Sequence, residues 1–164
     1  MTTRRLIAVL TLAVALPAAA RAYVEAPHSM GMICNLSTNI VVVQVEKVDK
    51  EKNLIIYRKV KDLKGVHPTD VIKHNIGRGG YNPREWQYIM EWAEPGKIAV
   101  FFHNGGESET CIGNYWYQTG NGGEWWNLTH GEPFLQRSFS GNPEKLASLV
   151  TEMLAGKEVV VPCL

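Results

Sequence analysis

Long apolar runs and an excess of one charge are both missing from most of this chain. After residue 22 no apolar stretch approaches the roughly 20 residues that a helix needs to span a bilayer, which predicts no membrane span in that part. The 17 Lys and Arg residues balance 16 Asp and Glu residues, giving a net charge of +1 without long charged blocks. This balance lacks the basic footprint of nucleic-acid-binding proteins, so that class of partner is excluded.

Cysteine is also scarce, with residues only at Cys34, Cys111 and Cys163. An oxidising compartment would favour one disulfide among these three candidates and leave the third thiol over. The sequence does not choose between the three pairings. A bridge from Cys111 to either of the others would close a long loop and strongly restrict the unfolded chain.

The first residues have the layout of a cleavable signal peptide. Arg4 and Arg5 give a positive start, residues 6–20 are uncharged and largely apolar, and Ala20-Arg21-Ala22 supplies the small residues that signal peptidase recognises. A membrane anchor is the alternative, but this run of about 15 residues is too short to span. We predict a signal peptide over 1–22 and a secreted or periplasmic protein.

The remaining chain, residues 23–164, has the length of one β-rich domain that can bury its own core. It stops abruptly at residues 159–164, an apolar run with no polar tail. This ending indicates the N-terminal part of a longer protein. On that interpretation the domain would space or anchor a longer secreted chain.

Alternating patterns predict strands along most of this domain. In residues 39–48, Val41, Val43 and Val45 alternate with Gln44 and Glu46, as in a strand with one buried face. Further strands are predicted at 54–60, 70–76, 97–103, 111–118, 124–128 and 158–161.

Two helices are predicted between these strands. Asn82-Pro83 opens the first, with apolar residues at helical spacing before Pro95-Gly96 ends it. Asn142 caps the second, Pro143 opens it and Gly156 ends it. The order of elements predicts a mainly β (α+β) fold, a small antiparallel OB-like barrel with two short helices packed outside.

The segment STNIVVVQVEKV, the β-branched strand that follows it and the phrase VKDLKG resemble netrin-like domains, the family that includes the tissue inhibitors of metalloproteinases. The likeness covers mainly residues 37–65 and implies an OB-type barrel. Those inhibitors chelate zinc through a mature N-terminal cysteine, whereas this mature chain is expected to begin at Tyr23. The resemblance therefore implies the fold without the inhibitory activity.

Residues 103–111 gather donor atoms that bind metals, namely His103, Glu107, Glu109 and Cys111. Zinc or copper accepts such ligands, but structural zinc sites use closer pairs such as C-x-x-C, which are absent. A polar hairpin turn ending in a disulfide cysteine is the favoured interpretation of this segment. A metal site completed by a distant histidine is the alternative.

Aromatic residues cluster on either side of a glycine-rich link, at Tyr115, Trp116, Tyr117, Trp125 and Trp126. Rings on an open face would stack on sugar rings or hold a peptide. Because alternation sends neighbouring side chains to opposite faces, we expect Trp116 and one of Trp125 and Trp126 to belong to the core.

Catalytic signatures such as G-x-S-x-G and H-E-x-x-H are absent, which favours a binding module over an enzyme. We expect an exported, non-catalytic module without a cofactor, whose aromatic-rich face binds an extracellular or periplasmic protein or a polysaccharide. A metal-dependent enzyme or metal carrier built around His103–Cys111 is the alternative hypothesis.

Overall fold

The computed structural model describes residues 29–78 and 85–163, which form a closed barrel of seven strands with helices around it. The order around the barrel is β1-β2-β3-β7-β6-β5-β4, and β4 pairs with β1 to close it. All neighbouring strands are antiparallel except β3 and β7. The predicted mainly β barrel is confirmed. The strands are β1 (Asn39–Asp49), β2 (Leu54–Lys64), β3 (Val71–Asn75), β4 (Ile98–Asn104), β5 (Glu107–Ile112), β6 (Tyr115–Asn121) and β7 (Trp126–Gly131).

Side chains along β1 alternate between the barrel core and the outer face of the sheet, as its sequence predicts. Val41, Val43 and Val45 are buried inside the barrel, whereas Gln44 and Glu46 are exposed. The other face of β1 is also largely covered, since Ile40 and Val42 pack into a second apolar cluster. Helices cover this outer cluster, so the sheet separates two cores.

Two predicted strands differ from the structure. The segment 111–118 is split by a tight turn at Gly113-Asn114, where Gly113 has φ +51°, a conformation that glycine adopts without steric cost. The segment predicted as a turn at 103–111 contains β5 instead. The strand predicted at 158–161 does not form, since this segment has no ladder partner among the residues that the structure describes. The carbonyl of the following Pro162 accepts a hydrogen bond from Ser140 N (2.7 Å).

Both predicted helices are present, and two more are found. The described helices are α1 (Met30–Leu36), α2 (Glu85–Trp92), α3 (Pro133–Ser138) and α4 (Pro143–Leu154). The Asn142 side chain caps α4 by accepting from Lys145 N at 2.9 Å, as its sequence predicts. Both additional helices, α1 and α3, are shorter than eight residues, too short for a helical period to stand out.

The helices take different positions around the barrel. Ile89, Met90 and Ala93, from α2 and the turn after it, pack into the barrel core. Leu146 and Val150 of α4 cover the outer cluster. No helix within the described residues is long and apolar enough to cross a membrane.

The expected disulfide is not formed. Cys34, Cys111 and Cys163 are free thiols. Cys34 and Cys111 are buried in the outer cluster, where they act as small apolar side chains. Cys163 is exposed. The predicted signal peptide at 1–22 and the helix start at Asn82-Pro83 lie outside the described residues.

Candidate functional site

A cleft of about 560 Å³ opens between β3 and the link that joins β6 to β7. We call it the β3 cleft. It lies at the end of the barrel opposite to the Gly113-Asn114 turn, because the β6–β7 link neighbours the β4–β5 turn through the bond from Asn121 N to Gly106 O (2.7 Å). Its lining comprises residues 67–73, Asn121, Gly123, Glu124 and Trp126.

The structure divides the predicted aromatic face. Trp116 and Tyr117 are fully buried, Trp116 in the outer cluster and Tyr117 in the barrel core. Trp125 and Trp126 are half-buried beside the β3 cleft, and Trp126 lines it. Tyr115 lines a different cleft, at the α2 end. Trp116 belongs to the core as expected, and Trp126 is half-buried against it. The five rings do not share one face, and two tryptophans remain at the β3 cleft.

The structure does not bring the four predicted metal ligands together. His103 contacts Phe101 and Trp126 inside the barrel. On β5, Glu109 and Cys111 lie opposite Phe102 and Val100 of β4. These two β4 residues belong to the outer cluster. The alternation of side chains thus places the histidine and these two donors on opposite faces of the sheet. Glu107 is exposed on the outer side, opposite Asn104. Over residues 29–78 and 85–163, no group of three His, Cys, Asp or Glu residues is arranged to hold a metal ion.

His103 instead pairs with His67, a residue of the β2–β3 connection. Both are buried, and Nε2 of His67 lies 2.9 Å from Nδ1 of His103. Nδ1 of His67 lies 2.8 Å from the carbonyl oxygen of Thr69, which can only accept, and 3.3 Å from Thr69 N, which can only donate. Because the contact with the carbonyl is much the shorter, we assign a proton to this nitrogen. In a neutral His67 ring Nε2 then accepts, and Nδ1 of His103 donates to it. Nε2 of His103 is then a buried lone pair, and it has no hydrogen-bond partner among the described residues.

Ring stacking fixes Trp126 at the mouth of this cleft. The His103 ring stacks on Trp126 with centroids 4.5 Å apart and on Phe101 with centroids 5.8 Å apart. His74 stacks on Phe101 in turn, at 4.5 Å and an interplanar angle of 14°. Three of these rings are deep in the barrel core, so the indole of Trp126 is backed by a rigid base and needs little ordering when a ligand arrives.

A second buried network lies behind the stack. The Tyr117 hydroxyl is 3.2 Å from the Tyr57 hydroxyl and 3.1 Å from Nδ1 of His74. Burial lowers the pKa of His74 well below its ordinary value, and the nearby His103 lowers it further. Burial also lowers the pKa of His103 to about 3, with His67 adding to the shift. Both rings are therefore neutral at physiological pH.

The backbone of β3 is unevenly paired. All five of its residues pair with β2, but only His74 and Asn75 pair with β7. The bonds from Lys59 N to Asp70 O (2.8 Å) and from Ile76 N to Asn53 O (2.9 Å) show that even-numbered residues turn their polar groups toward β2. Because this direction alternates along an antiparallel strand, the odd-numbered residues face the opposite side.

Val71 and Lys73 therefore direct backbone groups into the β3 cleft. The bridge between His74 and Trp126 engages the carbonyl of Lys73, so within the described ranges the register leaves the N–H of Lys73 and the backbone of Val71 without a strand partner on that side. The carbonyl of Val71 accepts from the Thr69 hydroxyl at 2.9 Å and retains a second lone pair. The edge of β3 is thus open at Val71 and at the N–H of Lys73, just before its short pairing with β7 begins at His74.

The side chain of Lys73 joins this edge to the opposite wall of the cleft. Its ammonium pairs with Glu124 and lies 5.5 Å from the centre of the Trp125 ring. Both partners belong to the β6–β7 link. Lys73 is half-buried and Glu124 is exposed, so each contact is weak and the two position the link without locking it.

Sequence reasoning missed His67, Lys73 and the β3 edge. Nothing in the local pattern around His67 or Lys73 marks them, because their roles depend on which strands become neighbours. Comparisons with known proteins add no site residue: no protein-family model, no curated protein and no solved structure matches the chain.

Proposed function

We propose that this protein is an exported binding module that holds an extended segment of a partner protein in the β3 cleft. The observation that carries the proposal is the open edge of β3, with the backbone of Val71 and Lys73 facing the cleft. Peptides commonly bind by adding a strand to such an edge, where backbone hydrogen bonds supply affinity and neighbouring pockets select side chains.

The lining of the cleft supports this mode of binding. A peptide residue beside β3 would accept a hydrogen bond from Lys73 N and donate one to Val71 O. The indole of Trp126, backed by His103, offers a flat apolar surface to one of its side chains. Natural proteins usually cover or shorten free strand edges, so an open edge next to an aromatic wall favours a binding role.

The experiment separates the backbone of Lys73 from its side chain. Heptapeptides are selected on the purified protein from a phage-displayed library, and their affinities are measured by tryptophan fluorescence. Lys73→Ala removes the ammonium but keeps the N–H, whereas Lys73→Pro removes both. Because this N–H faces the cleft and is not part of the β2 ladder, proline is tolerated there.

We expect Lys73→Pro to bind the selected peptides about tenfold more weakly than Lys73→Ala, which corresponds to one hydrogen bond. Circular dichroism confirms that both variants are folded. Equal affinities of the two variants would contradict strand addition, and so would a library that yields no specific peptide.

Export is the second part of the proposal and rests on the signal-peptide pattern of residues 1–22. Expression of the whole chain in a secretion-competent host, followed by N-terminal sequencing, tests it. We expect the first residue to be Tyr23. Retention of Met1 or Thr2 in the product would contradict export. The resemblance to netrin-like domains stays a prediction and adds no activity to this proposal.

A further inference from the structure

A second cleft, at the other end of the barrel, is lined by aromatic and amide side chains. We call it the aromatic cleft, formed by Tyr88, Trp92, Gly113, Asn114, Tyr115 and Gln136 together with one isoleucine. Its volume is about 400 Å³, within the range of small-ligand sites. It is separate from the β3 cleft and shares no lining residue with it.

Its rings differ in how firmly they are held. Trp92 and Tyr115 are half-buried and pack against the barrel core, which fixes their orientation. Tyr88 lies one helical turn before Trp92 on α2, and 65% of its surface is exposed. A large aromatic side chain so exposed next to two fixed rings contributes little to the core, and is well placed to contact a ligand.

The polar groups of the cleft indicate the chemistry of that ligand. Within the described residues, none of those lining the cleft is charged, so a neutral ligand fits it better than an ion. Asn114 and Gln136 each carry both a donor and an acceptor. Hydroxyl groups also donate and accept, whereas the proline residues of a polyproline helix offer only carbonyl acceptors.

The backbone at Gly113 keeps the edge of Trp92 accessible. A Cβ atom at Gly113 would come within 3.4 Å of Cδ1 and 3.6 Å of Nε1 of the Trp92 indole. The absence of a side chain at this position therefore leaves room beside the indole N–H, which is a donor for a further hydroxyl group.

We infer that the aromatic cleft binds a neutral saccharide, with a sugar ring stacked between Tyr88 and the fixed rings and its hydroxyls bonded to Asn114 and Gln136. This site is independent of peptide binding in the β3 cleft. Its ligand would be a glycan of the compartment into which the protein is exported, and the two sites together would connect a partner protein to that glycan.

The test is affinity electrophoresis of the purified protein in native gels that contain a soluble β-glucan, galactomannan, xylan or glycol chitin. We expect retardation by at least one of these polysaccharides. Tyr88→Ala should weaken the binding at least tenfold, whereas Tyr88→Phe should keep most of it because the stacking face remains. Trp125→Ala, which alters the β3 cleft, is the matched control and should bind like the wild type.

Three results would overturn the inference. They are the absence of retardation by all four polysaccharides, equal retardation of the wild type and Tyr88→Ala, or Tyr88-dependent binding of a decaproline peptide in calorimetry. The last result would assign the cleft to proline-rich peptides instead. Peptide binding by Lys73→Ala and Lys73→Pro is measured separately, so failure of one site does not affect the conclusion on the other.

Discussion

His67 and His103 are 36 residues apart in sequence and share a hydrogen bond of 2.9 Å between Nε2 of the first and Nδ1 of the second. This bond connects the β2–β3 connection to β4, and the His103 ring supports Trp126 at the mouth of the β3 cleft. A buried histidine pair is thus part of the wall that positions the candidate binding surface. The protonation of His103 has measurable consequences, which the first two predictions test.

The first prediction concerns the tautomer of His103. Because the carbonyl of Thr69 fixes the proton on His67 Nδ1, His103 should carry its proton on Nδ1 and a lone pair on Nε2. Long-range ¹H–¹⁵N NMR spectra distinguish the two tautomers. We expect the Nδ1–H form at pH 8, where His103 is neutral because its pKa lies near 3. Observation of the Nε2–H form would contradict the hydrogen-bond order.

The second prediction is that His103 destabilises the fold in acid. Its pKa is about 3 in the folded protein and near 6.5 in an unfolded chain, so the unfolded state takes up the proton first. The stabilisation is present above pH 6.5 and is lost as pH falls toward 3. Between pH 6.5 and 5 the free energy of unfolding should fall by about 2 kcal/mol from this residue. The variant His103→Phe keeps a stacking ring. In urea unfolding, its free energy of unfolding should not show this fall between pH 6.5 and 5. If the free energy of unfolding of the variant depended on pH as steeply as that of the wild type, the prediction would be contradicted.

The third prediction concerns Glu109, which acts in the opposite direction. Its side chain is 8% exposed, and burial raises its pKa to about 7, although Gln118 donates to it at 2.9 Å. The folded state therefore holds the proton more tightly than the unfolded state, whose carboxyl has a pKa near 4.5. The stabilisation present below pH 4.5 is lost as pH rises through 7.

Glu109→Gln keeps the hydrogen bond from Gln118 and removes the buried charge. We expect it to raise the free energy of unfolding by about 2–3 kcal/mol at pH 8 and by much less at pH 4.5, measured by urea titration at both values. Glu107→Gln removes an exposed charge from the same strand and is the matched control. Equal effects of Glu109→Gln at both pH values would show that the carboxyl is already ionised at low pH.

The barrel itself could be predicted because its strands repeat a period of two. The alternation of Val41, Val43 and Val45 is visible in the sequence and matches the burial of β1. In β5, by contrast, Glu107, Ser108, Glu109 and Thr110 follow one another, and a polar run of this kind is typical of a loop. The strand forms because its neighbours β4 and β6 complete its hydrogen bonds on both sides.

The candidate sites were predictable only in part. The cluster around Trp125 and Trp126 is visible as composition, and these residues do border a cleft. The open edge of β3 depends on how far its pairing with β7 extends, and the aromatic cleft depends on α2 lying beside the Gly113-Asn114 turn. Both are contacts between distant segments, and local periodicity carries no information about them.

The fourth prediction is that the three cysteines differ sharply in reactivity. Burial raises the pKa of the Cys34 thiol to about 11 and also raises that of Cys111, so neither forms the reactive thiolate. A thiol reagent such as Ellman's should modify one thiol in the native protein, at Cys163. It should modify three in guanidinium chloride. A single reactive thiol after unfolding would instead reveal a disulfide.

The fifth prediction compares the two tyrosines inside the barrel. Tyr117 is central, because its hydroxyl bonds to both Tyr57 and His74, whereas within the part of the chain that the structure describes Tyr57 bonds to Tyr117 alone. Tyr117→Phe leaves the Tyr57 hydroxyl and Nδ1 of His74 without these bonds in a buried site, which costs about 1–3 kcal/mol for each unpaired group. Tyr57→Phe leaves the bond between Tyr117 and His74 intact and should cost about 1 kcal/mol.

Urea unfolding at pH 7.5 measures both variants, and the double variant completes a mutant cycle. We expect Tyr117→Phe to be the more destabilising by at least 1 kcal/mol, and the double variant to cost less than the sum of the single changes because the two hydroxyls share one bond. Additive effects would show that the hydroxyls do not interact, and equal single effects would show that Nδ1 of His74 draws no stability from Tyr117.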